Sequence, residues 1–260
     1  MKIRIISDLH INLNKNHNLN LWNRDDILTI IAGDISNDIK ITNKFLEKNF
    51  KRVIFIEGNH LVYAAKNKPI QQLYKEYKIK FPKKKEISFL QDDYKEIDGI
   101  IFIGCTLWTN YTYGDLPLLK KIENATAYMD EMFPHATYLE KNKPVQLRPT
   151  HCIKMFEKSL KYIEKICTKF NDKKIVLITH HCVSGKAILP KYKTYINNPA
   201  ITTDIEDFIK KFPNIKLIIH GHTHGKCDYF IHGIPVICNP LGVIDKGEDE
   251  GFNKDLFVDI

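Results

Sequence analysis

The sequence predicts an α/β fold in which strands and helices form separate layers, and two observations indicate it. Short apolar runs, typical of buried strands, recur along the chain. Between several of them lie longer segments whose apolar residues recur at helical spacing. Strands that alternate with helices are typical of layered α/β domains. Because no internal repeat, low-complexity linker or compositional break divides the 260 residues, we expect one domain over 1–260.

Seven apolar runs have the length of strands, and a turn residue or a polar residue follows most of them at once. In chain order the predicted strands cover residues 2–7, 26–32, 52–57, 100–105, 174–179, 215–219 and 234–238. Their apolar character indicates strands that are buried inside a sheet.

Four amphipathic segments are predicted as helices, at residues 42–49, 70–78, 150–170 and 202–212. The third has a single apolar stripe at helical spacing and therefore faces the core; the stripe consists of Ile153, Phe156, Leu160, Ile163 and Cys167. Residues 118–147 lack clean periodicity and contain Pro134 and Pro144. We therefore expect a helical insertion with irregular loops around 115–147.

The composition is that of a soluble globular protein. Hydrophobic residues make up 43% of the chain, and no apolar run approaches the ~20 residues needed to cross a bilayer. The six cysteines form no CxxC pair, and a core of this size needs no disulfide framework. The first residues read as a strand and show no secretory signal. These features together predict a cytoplasmic protein with reduced thiols.

The net charge of +8 comes mostly from lysines, as in residues 66–85. Such a charge attracts phosphate-bearing molecules. The basic residues are not interleaved with aromatic residues and form no arginine cluster, so nucleic acid is not the expected partner. We expect a small phosphate-bearing substrate and no membrane partner.

Polar residues follow five of the predicted strands, and glycine opens the turn after three of them. The residues are Asp8 and His10, then Gly33 and Asp34, then Gly58, Asn59 and His60, then His180 and His181, and finally His220, Gly221, His222 and His224. Ligands of α/β sheets bind beside the carboxyl ends of parallel strands, so all five groups are expected at one edge. A histidine-rich turn alone would also fit a solvated loop, but five such strand ends favour a site.

The residue types indicate metal chemistry. Mixed aspartate, asparagine and histidine ligands, without cysteine, suit Mn, Fe or Zn. There are more ligands than one ion needs, and two ions roughly 3.5–4 Å apart that share a carboxylate are expected for phosphate-ester hydrolysis. In that chemistry a hydroxide that bridges the metals attacks phosphorus in line, and an additional imidazole protonates the leaving oxygen.

The five motifs resemble the signatures of the calcineurin-like metallophosphoesterases, in the same order, from residue 8 to residue 224. The resemblance implies a four-layered α/β/β/α sandwich with two mixed sheets and a dinuclear metal site at the strand ends. It also implies that Asp8, His10 and His224 hold one metal, that Asn59, His180 and His222 hold the other, and that Asp34 bridges them. His60 would be the catalytic acid. His181 would support its neighbour, and His220 would not be a ligand.

Further segments resemble a small uncharacterised bacterial and viral subgroup of this family: 106–109, 128–130 and 238–242. Trp108 and Tyr111 follow a strand and would line the substrate pocket or serve as ordinary packing aromatics. Two positions depart from the pattern. Leu61 stands after His60 where an acidic residue often orients the histidine, and Val243 stands where the subgroup commonly has tyrosine.

The function expected from these residues is metal-dependent hydrolysis of a phosphate mono- or diester, with a small phosphodiester or a nucleotide preferred. The alternative is a metal-binding scaffold or interaction module with the same fold and no turnover, for which Leu61 is the one supporting feature. A nuclease is a lesser alternative, because nucleases of the family tend to carry further domains. A P-loop near Ser184, Gly185 and Lys186 is set aside, because the upstream glycine is missing and Ala187 stands where Ser or Thr is required.

Overall fold

The structure is a computed structural model that describes residues 1–19, 27–64, 68–80 and 86–260. The first residue of the strand predicted at 26–32 lies outside the described residues, and so do parts of the lysine-rich segment 66–85. None of the described helices combines the length and the apolar character needed to cross a membrane.

The described residues form thirteen strands: β1 (Lys2–Ile6), β2 (Leu28–Ala32), β3 (Arg52–Ile56), β4 (Glu86–Phe89), β5 (Asp93–Ile97), β6 (Ile100–Cys105), β7 (Thr137–Glu140), β8 (Lys143–Gln146), β9 (Ile175–Thr179), β10 (Ile215–His220), β11 (Cys227–Ile231), β12 (Ile234–Cys238) and β13 (Phe257–Asp259). They also form six α-helices: α1 (Ile39–Asn49), α2 (Ile70–Lys80), α3 (Leu118–Met132), α4 (Pro149–Lys169), α5 (Asn198–Ile201) and α6 (Glu206–Lys210).

Two mixed sheets form the centre of the fold. The first has the order β13-β1-β2-β3-β4 and is parallel except for β13. The second has the order β11-β12-β10-β9-β6-β5, and its two edge strands β11 and β5 run antiparallel to their neighbours. Parallel strands therefore occupy the middle of both sheets, and their carboxyl ends meet at one edge of the molecule.

Three apolar clusters show how the layers pack. One cluster joins alternate residues of the two sheets, such as Ile30 and Ile178, and fills the space between them. A second packs the outer face of the first sheet on α1 and α2, through Leu46 and Tyr77. The third packs the outer face of the second sheet on α3 and α4. The predicted four-layered α/β/β/α fold is confirmed.

The predicted helix 202–212 is wrong in its first half, because only Glu206–Lys210 is helical. The backbone N–H groups of Thr203 and Ile205 donate to Cys182 O and Val183 O. Because these donors pair with the neighbouring segment, they cannot form the hydrogen bonds of a helix. In the other direction, α1 starts before residue 42, because the Asp38 side chain accepts from Lys40 N and Ile41 N and caps the helix.

The segment 115–147 contains α3, but the irregular loops predicted after it are wrong. β7 and β8 pair there as an antiparallel hairpin. Lys141 and Asn142 form its turn, both with positive φ (47° and 64°), as a two-residue hairpin turn requires. Pro144 is tolerated because the ribbon has only two strands, so one side of each is an edge.

Candidate metal centre

The structure places all five polar groups at the carboxyl edge of the two sheets. Asp8 and His10 follow β1, Asp34 follows β2, Asn59 and His60 follow β3, His180 follows β9, and His222 and His224 follow β10. The sheets approach each other here, because Ser7 at the end of β1 forms a bridge with Pro240 beyond β12. The parallel strands thus bring residues more than 200 positions apart in sequence to one site.

Asp8, His10 and His224 form the first group of potential ligands. Their ligand atoms all lie within 4.8 Å of one another. The two Nε2 atoms of His10 and His224 are 2.8 Å apart, and Asp8 Oδ1 lies 3.7 Å from His224 Nε2. Both oxygens of Asp8 accept from the backbone N–H of His222, which holds the carboxylate in place. Such a convergence of two imidazoles and a carboxylate fits a divalent cation.

Asp34, His180 and His222 form the second group, again within 4.8 Å. His180 Nε2 lies 3.2 Å from Asp34 Oδ2 and 3.0 Å from Asn59 Oδ1. Its other ring nitrogen, Nδ1, lies 2.9 Å from Ala32 O. An imidazole whose second nitrogen donates to a backbone carbonyl is fixed in orientation, as is typical of histidines that bind metals.

Asp34 belongs to the second group and approaches the first through His10. It is fully buried, and its ligand atom also lies within 4.8 Å of those of His10 and His60. Oδ1 accepts from the backbone N–H of His60, whereas Oδ2 forms no well-aligned hydrogen bond with the described residues, although His180 Nε2 lies 3.2 Å away. A buried carboxylate oxygen without a donor is costly, and a cation would satisfy it. The residues present therefore fit metal ions at both groups.

The electrostatics of the pocket support a cationic occupant. Burial works to raise the pKa of Asp34, but His180, His60 and His10 hold it well below its usual range. Asp34 in turn raises the pKa of His180 to about 9 against the opposing effect of burial. Burial lowers the pKa of His10 and of His222 far below the usual range, which leaves neutral imidazoles with free lone pairs. Asp34 as a carboxylate, with His10 and His222 as neutral imidazoles, already has the protonation states in which these side chains bind metal, whereas His180 would lose its proton when it binds an ion.

Two glycines allow this close approach. A Cβ atom on Gly58 would lie 2.2 Å from Asp34 Oδ1 and 2.5 Å from His180 Nε2. A Cβ atom on Gly33 would lie 2.3 Å from His180 Nδ1, and Gly33 also has φ of +96°. The side chain of any larger residue at either position would clash with Asp34 or His180. Steric exclusion therefore explains why these two motifs contain glycine.

Five of the potential ligands have a left-handed backbone conformation, which is rare outside glycine. They are Asp8 (φ 51°), His10 (41°), Asp34 (51°), His222 (74°) and His224 (46°). Such a conformation costs roughly 1–3 kcal/mol per residue and persists where the surroundings enforce it, typically at functional sites. The sharp turns aim the side chains back across the sheet edge instead of along the strands.

His60 lies at the mouth of the site. Its Nε2 is 3.9 Å from Asp34 Oδ2, and its ring stacks on Tyr63 with centroids 4.6 Å apart. Burial lowers its pKa, although Asp34 acts in the opposite direction. Leu61, which stands where an acidic partner was expected, is buried in the core. The ring is therefore oriented by Tyr63 and Asp34 in place of the usual carboxylate.

His181 and His220 have hydrogen-bond partners outside the two groups of potential ligands. His181 is buried, its Nδ1 lies 3.2 Å from Thr106 O, and its ring packs near Trp108 and His222. Burial, followed by the charge of His180, lowers the pKa of His181 to about 3. His220 contacts Tyr229 through Nε2, at 3.1 Å.

Glu248 belongs to the site although no motif indicated it. Its Oε2 lies 2.6 Å from His224 Nδ1 and also accepts from the backbone N–H of Val243 at 2.8 Å. Burial acts to raise its pKa, but these two hydrogen bonds lower it to about 2. Glu248 lies 24 positions beyond His224, in a segment without regular alternation, so no sequence signal connected the two.

A pocket of about 210 Å³ opens beside the centre. Asn59, His60, His222 and His224 form one wall. Aromatic side chains form much of the rest: Tyr63, Trp108, Tyr111, Tyr128, Phe133 and Tyr195. Trp108 and Tyr111 line the pocket and also belong to the apolar core. Their surroundings therefore fit both predicted roles, as pocket residues and as packing aromatics.

Comparison with known families agrees with this geometry. The model of the calcineurin-like phosphoesterase family matches residues 1–226. The chain belongs to the calcineurin-like phosphoesterase family. It is therefore a hydrolase that acts on phosphate esters. The family typically uses a dinuclear metal centre, and the two groups of potential ligands provide the place for one.

Three proteins similar to this calcineurin-like phosphoesterase share between 10% and 26% sequence identity with it. The uncharacterized protein L509 of Acanthamoeba polyphaga mimivirus is 26% identical, over 99% of this chain and 96% of its own length. The phosphopantetheinyl hydrolase of Mycobacterium tuberculosis has a similar fold, with a TM-score of 0.69 and 16% identity over 96% of this chain and 92% of that one. A dimetal phosphatase from Danio rerio aligns at 10% identity and a TM-score of 0.47, covering 94% of this chain and 88% of that one.

Proposed function

We propose that this chain hydrolyses a small phosphodiester or a nucleotide at a dinuclear metal centre. The observation that carries the proposal is the pair of neighbouring ligand groups, which Asp34 and His10 connect because their ligand atoms lie within 4.8 Å of each other. One ion would be held by Asp8, His10 and His224, and the other by Asn59, His180 and His222. The donors are oxygen and imidazole nitrogen, which supports Mn, Fe or Zn.

When bound, two such ions activate a water for in-line attack and neutralise charge on the phosphoryl oxygens. His60 would then act as the acid, because it is the one imidazole at the mouth of the site that the ligand assignment leaves free. Its position beside Asp34 and against Tyr63 favours a single ring orientation. His60 would take up a proton from solvent and deliver it to the leaving oxygen as the phosphorus–oxygen bond breaks.

The shape of the pocket supports a small substrate with a flat or apolar leaving group. A volume of about 210 Å³ lies below the ≈ 300–1,000 Å³ typical of drug-sized ligands. The aromatic wall would stack on a nucleobase or another planar group. α3 supplies Tyr128 and Met129 to this wall, so the segment 115–147 would act as a cap on the site.

We further propose that residues 1–260 form a single phosphoesterase domain, since the three apolar clusters connect every layer. A reducing compartment such as the cytoplasm is supported by the six free cysteines, five of them buried.

The decisive test is turnover by the purified protein after chelation and reconstitution with Mn²⁺, Fe²⁺ or Zn²⁺. The substrates would be bis-p-nitrophenyl phosphate, p-nitrophenyl phosphate, a cyclic nucleotide and β-glycerophosphate. We expect metal-dependent hydrolysis, with higher kcat/KM for the diester and the nucleotide than for β-glycerophosphate. Stoichiometric metal without hydrolysis of any ester would instead indicate a binding module.

Two matched pairs of variants sharpen this test. Asp34→Asn should lose metal and activity together, whereas Asp172→Asn, an exposed control, should lose neither. Tyr195→Ala should raise KM for the nucleotide more than for β-glycerophosphate, because Tyr195 lines the pocket and Tyr192 does not. If Tyr192→Ala had the same effect, the aromatic wall would not be the basis of selection.

A further inference from the structure

A second cluster of potential metal ligands lies behind the phosphoesterase centre, on three neighbouring strands. His220 at the end of β10 pairs in register with Cys238 of β12, and Cys238 pairs with Cys227 of β11. Residues in register on adjacent strands project from the same face of a sheet. Because Ile218 and Val236 of these strands lie in the outer cluster, the three side chains share the outer face.

The three side chains converge closely. The ligand atoms of His220, Cys227 and Cys238 all lie within 4.8 Å of one another. His220 and Cys238 are fully buried, and Cys227 is half-buried, which leaves a path from solvent. In the described part of the chain, this is the one grouping of potential ligands that contains sulfur.

A fourth thiol, Cys182, lies beside this cluster. Its Sγ is 3.9 Å from Gly221 O, and the Sγ of Cys238 is 3.8 Å from the same oxygen. Cys182 is fully buried and not part of a disulfide. Three thiols and one imidazole from four separate segments are a Cys₃His set, which is a common donor set of tetrahedral structural zinc sites.

The hydrogen bonds of His220 also suit an ion. Nδ1 lies 2.9 Å from Gly221 O, and Nε2 lies 3.1 Å from Tyr229 Oη. Whichever ring nitrogen binds the ion, the other keeps a hydrogen-bond partner that fixes the ring, as is usual for metal-binding histidines. Cys167, in contrast, is buried among the apolar residues of the core, where a thiol serves only as a small apolar side chain.

We propose that His220, Cys227 and Cys238, completed by Cys182, bind a third ion, a thiophilic divalent cation such as zinc, apart from the phosphoesterase centre. Each thiol releases its proton to solvent as the thiolate binds the ion. His220 and Cys227 flank the turn that carries His222 and His224. The ion would therefore tie both ends of that turn together and hold its two imidazoles in place.

Cobalt(II) distinguishes this site from the phosphoesterase centre. The proposed ligands of that centre contain no sulfur, so a thiolate-to-cobalt charge-transfer band reports on the cysteine cluster alone. Reduced, chelated protein would be titrated with Co²⁺ and followed by absorption spectroscopy. We expect a charge-transfer band that saturates at one equivalent, with two further equivalents bound without adding to it.

Matched variants locate the band. In Cys227→Ala the charge-transfer band should lose most of its intensity, and the protein should bind one equivalent of metal less. The half-buried position tolerates the substitution. Cys167→Ala, a control in the apolar core, should retain the band. Asp34→Asn should also retain it while losing metal from the phosphoesterase centre, so failure of one site is distinguishable from failure of the other.

Three results would overturn the proposal. One is wild-type protein without a charge-transfer band, and another is a Cys227→Ala variant with an unchanged band. The third is a Cys227–Cys238 disulfide found by mass spectrometry in protein purified under reducing conditions.

Discussion

Glu248 tests how far the surroundings of the metal centre control its affinity. Its Oε2 accepts from His224 Nδ1 at 2.6 Å and from the Val243 backbone at 2.8 Å. Hydrogen-bond partners of metal-binding histidines contribute roughly 10- to 100-fold in metal affinity, or about 1.4 to 2.8 kcal/mol. Glu248→Ala leaves both donors unpaired, so we expect the metal affinity of this variant to fall by close to 100-fold. Glu248→Gln keeps an acceptor but loses the charge, and we expect roughly tenfold.

The assay is a calorimetric titration of chelated protein with Mn²⁺. Only the ion beside His224 should bind more weakly, because His180 and His222 do not contact Glu248, so one of two binding events shifts. Glu250→Gln, an exposed neighbour, serves as the control and should match the wild type. An equal loss of affinity for both ions, or wild-type affinity in Glu248→Ala, would refute the reasoning that this carboxylate acts through His224.

Three further predictions follow from the site. His60→Ala should lower kcat on bis-p-nitrophenyl phosphate by roughly 10²–10⁴-fold with metal content unchanged; a variant without metal would show that His60 is a ligand instead. Gly58→Ala should empty the centre in a metal analysis, since its Cβ would meet Asp34, and normal content would contradict the close packing. Burial raises the pKa of Glu57 to about 8, above its value in the unfolded chain. Between about pH 4.3 and pH 8 the folded state therefore binds a proton that the unfolded state has lost, and the free energy of unfolding falls as pH rises through this range. Urea unfolding of chelated protein should therefore show Glu57→Gln gaining stability over the wild type at pH 8 but not at pH 4.5, and equal curves at pH 8 would contradict a buried charge.

The central strands of both sheets could be predicted from sequence, but the edge strands could not. The seven predicted strands correspond to β1, β2, β3, β6, β9, β10 and β12, all of which have neighbours on both sides. The four strands that were missed in the two large sheets are their edges: β4, β5, β11 and β13. A central strand is buried on both faces and reads as a continuous apolar run. An edge strand is partly exposed, and β11 alternates between half-buried and exposed residues until its last position.

The sequence by itself determined the family, the four layers and the polar residues that follow each strand. These features can be predicted because each motif consists of residues that are neighbours in the chain and because the motifs keep a fixed order. Only the tertiary structure decided which of those residues share an ion-sized space. It brought Glu248 onto His224 and turned His220 away from the phosphoesterase centre toward Cys227 and Cys238. The physical reason is that strand register and the hand of each turn set where a side chain points, and both depend on neighbours that are distant in the chain.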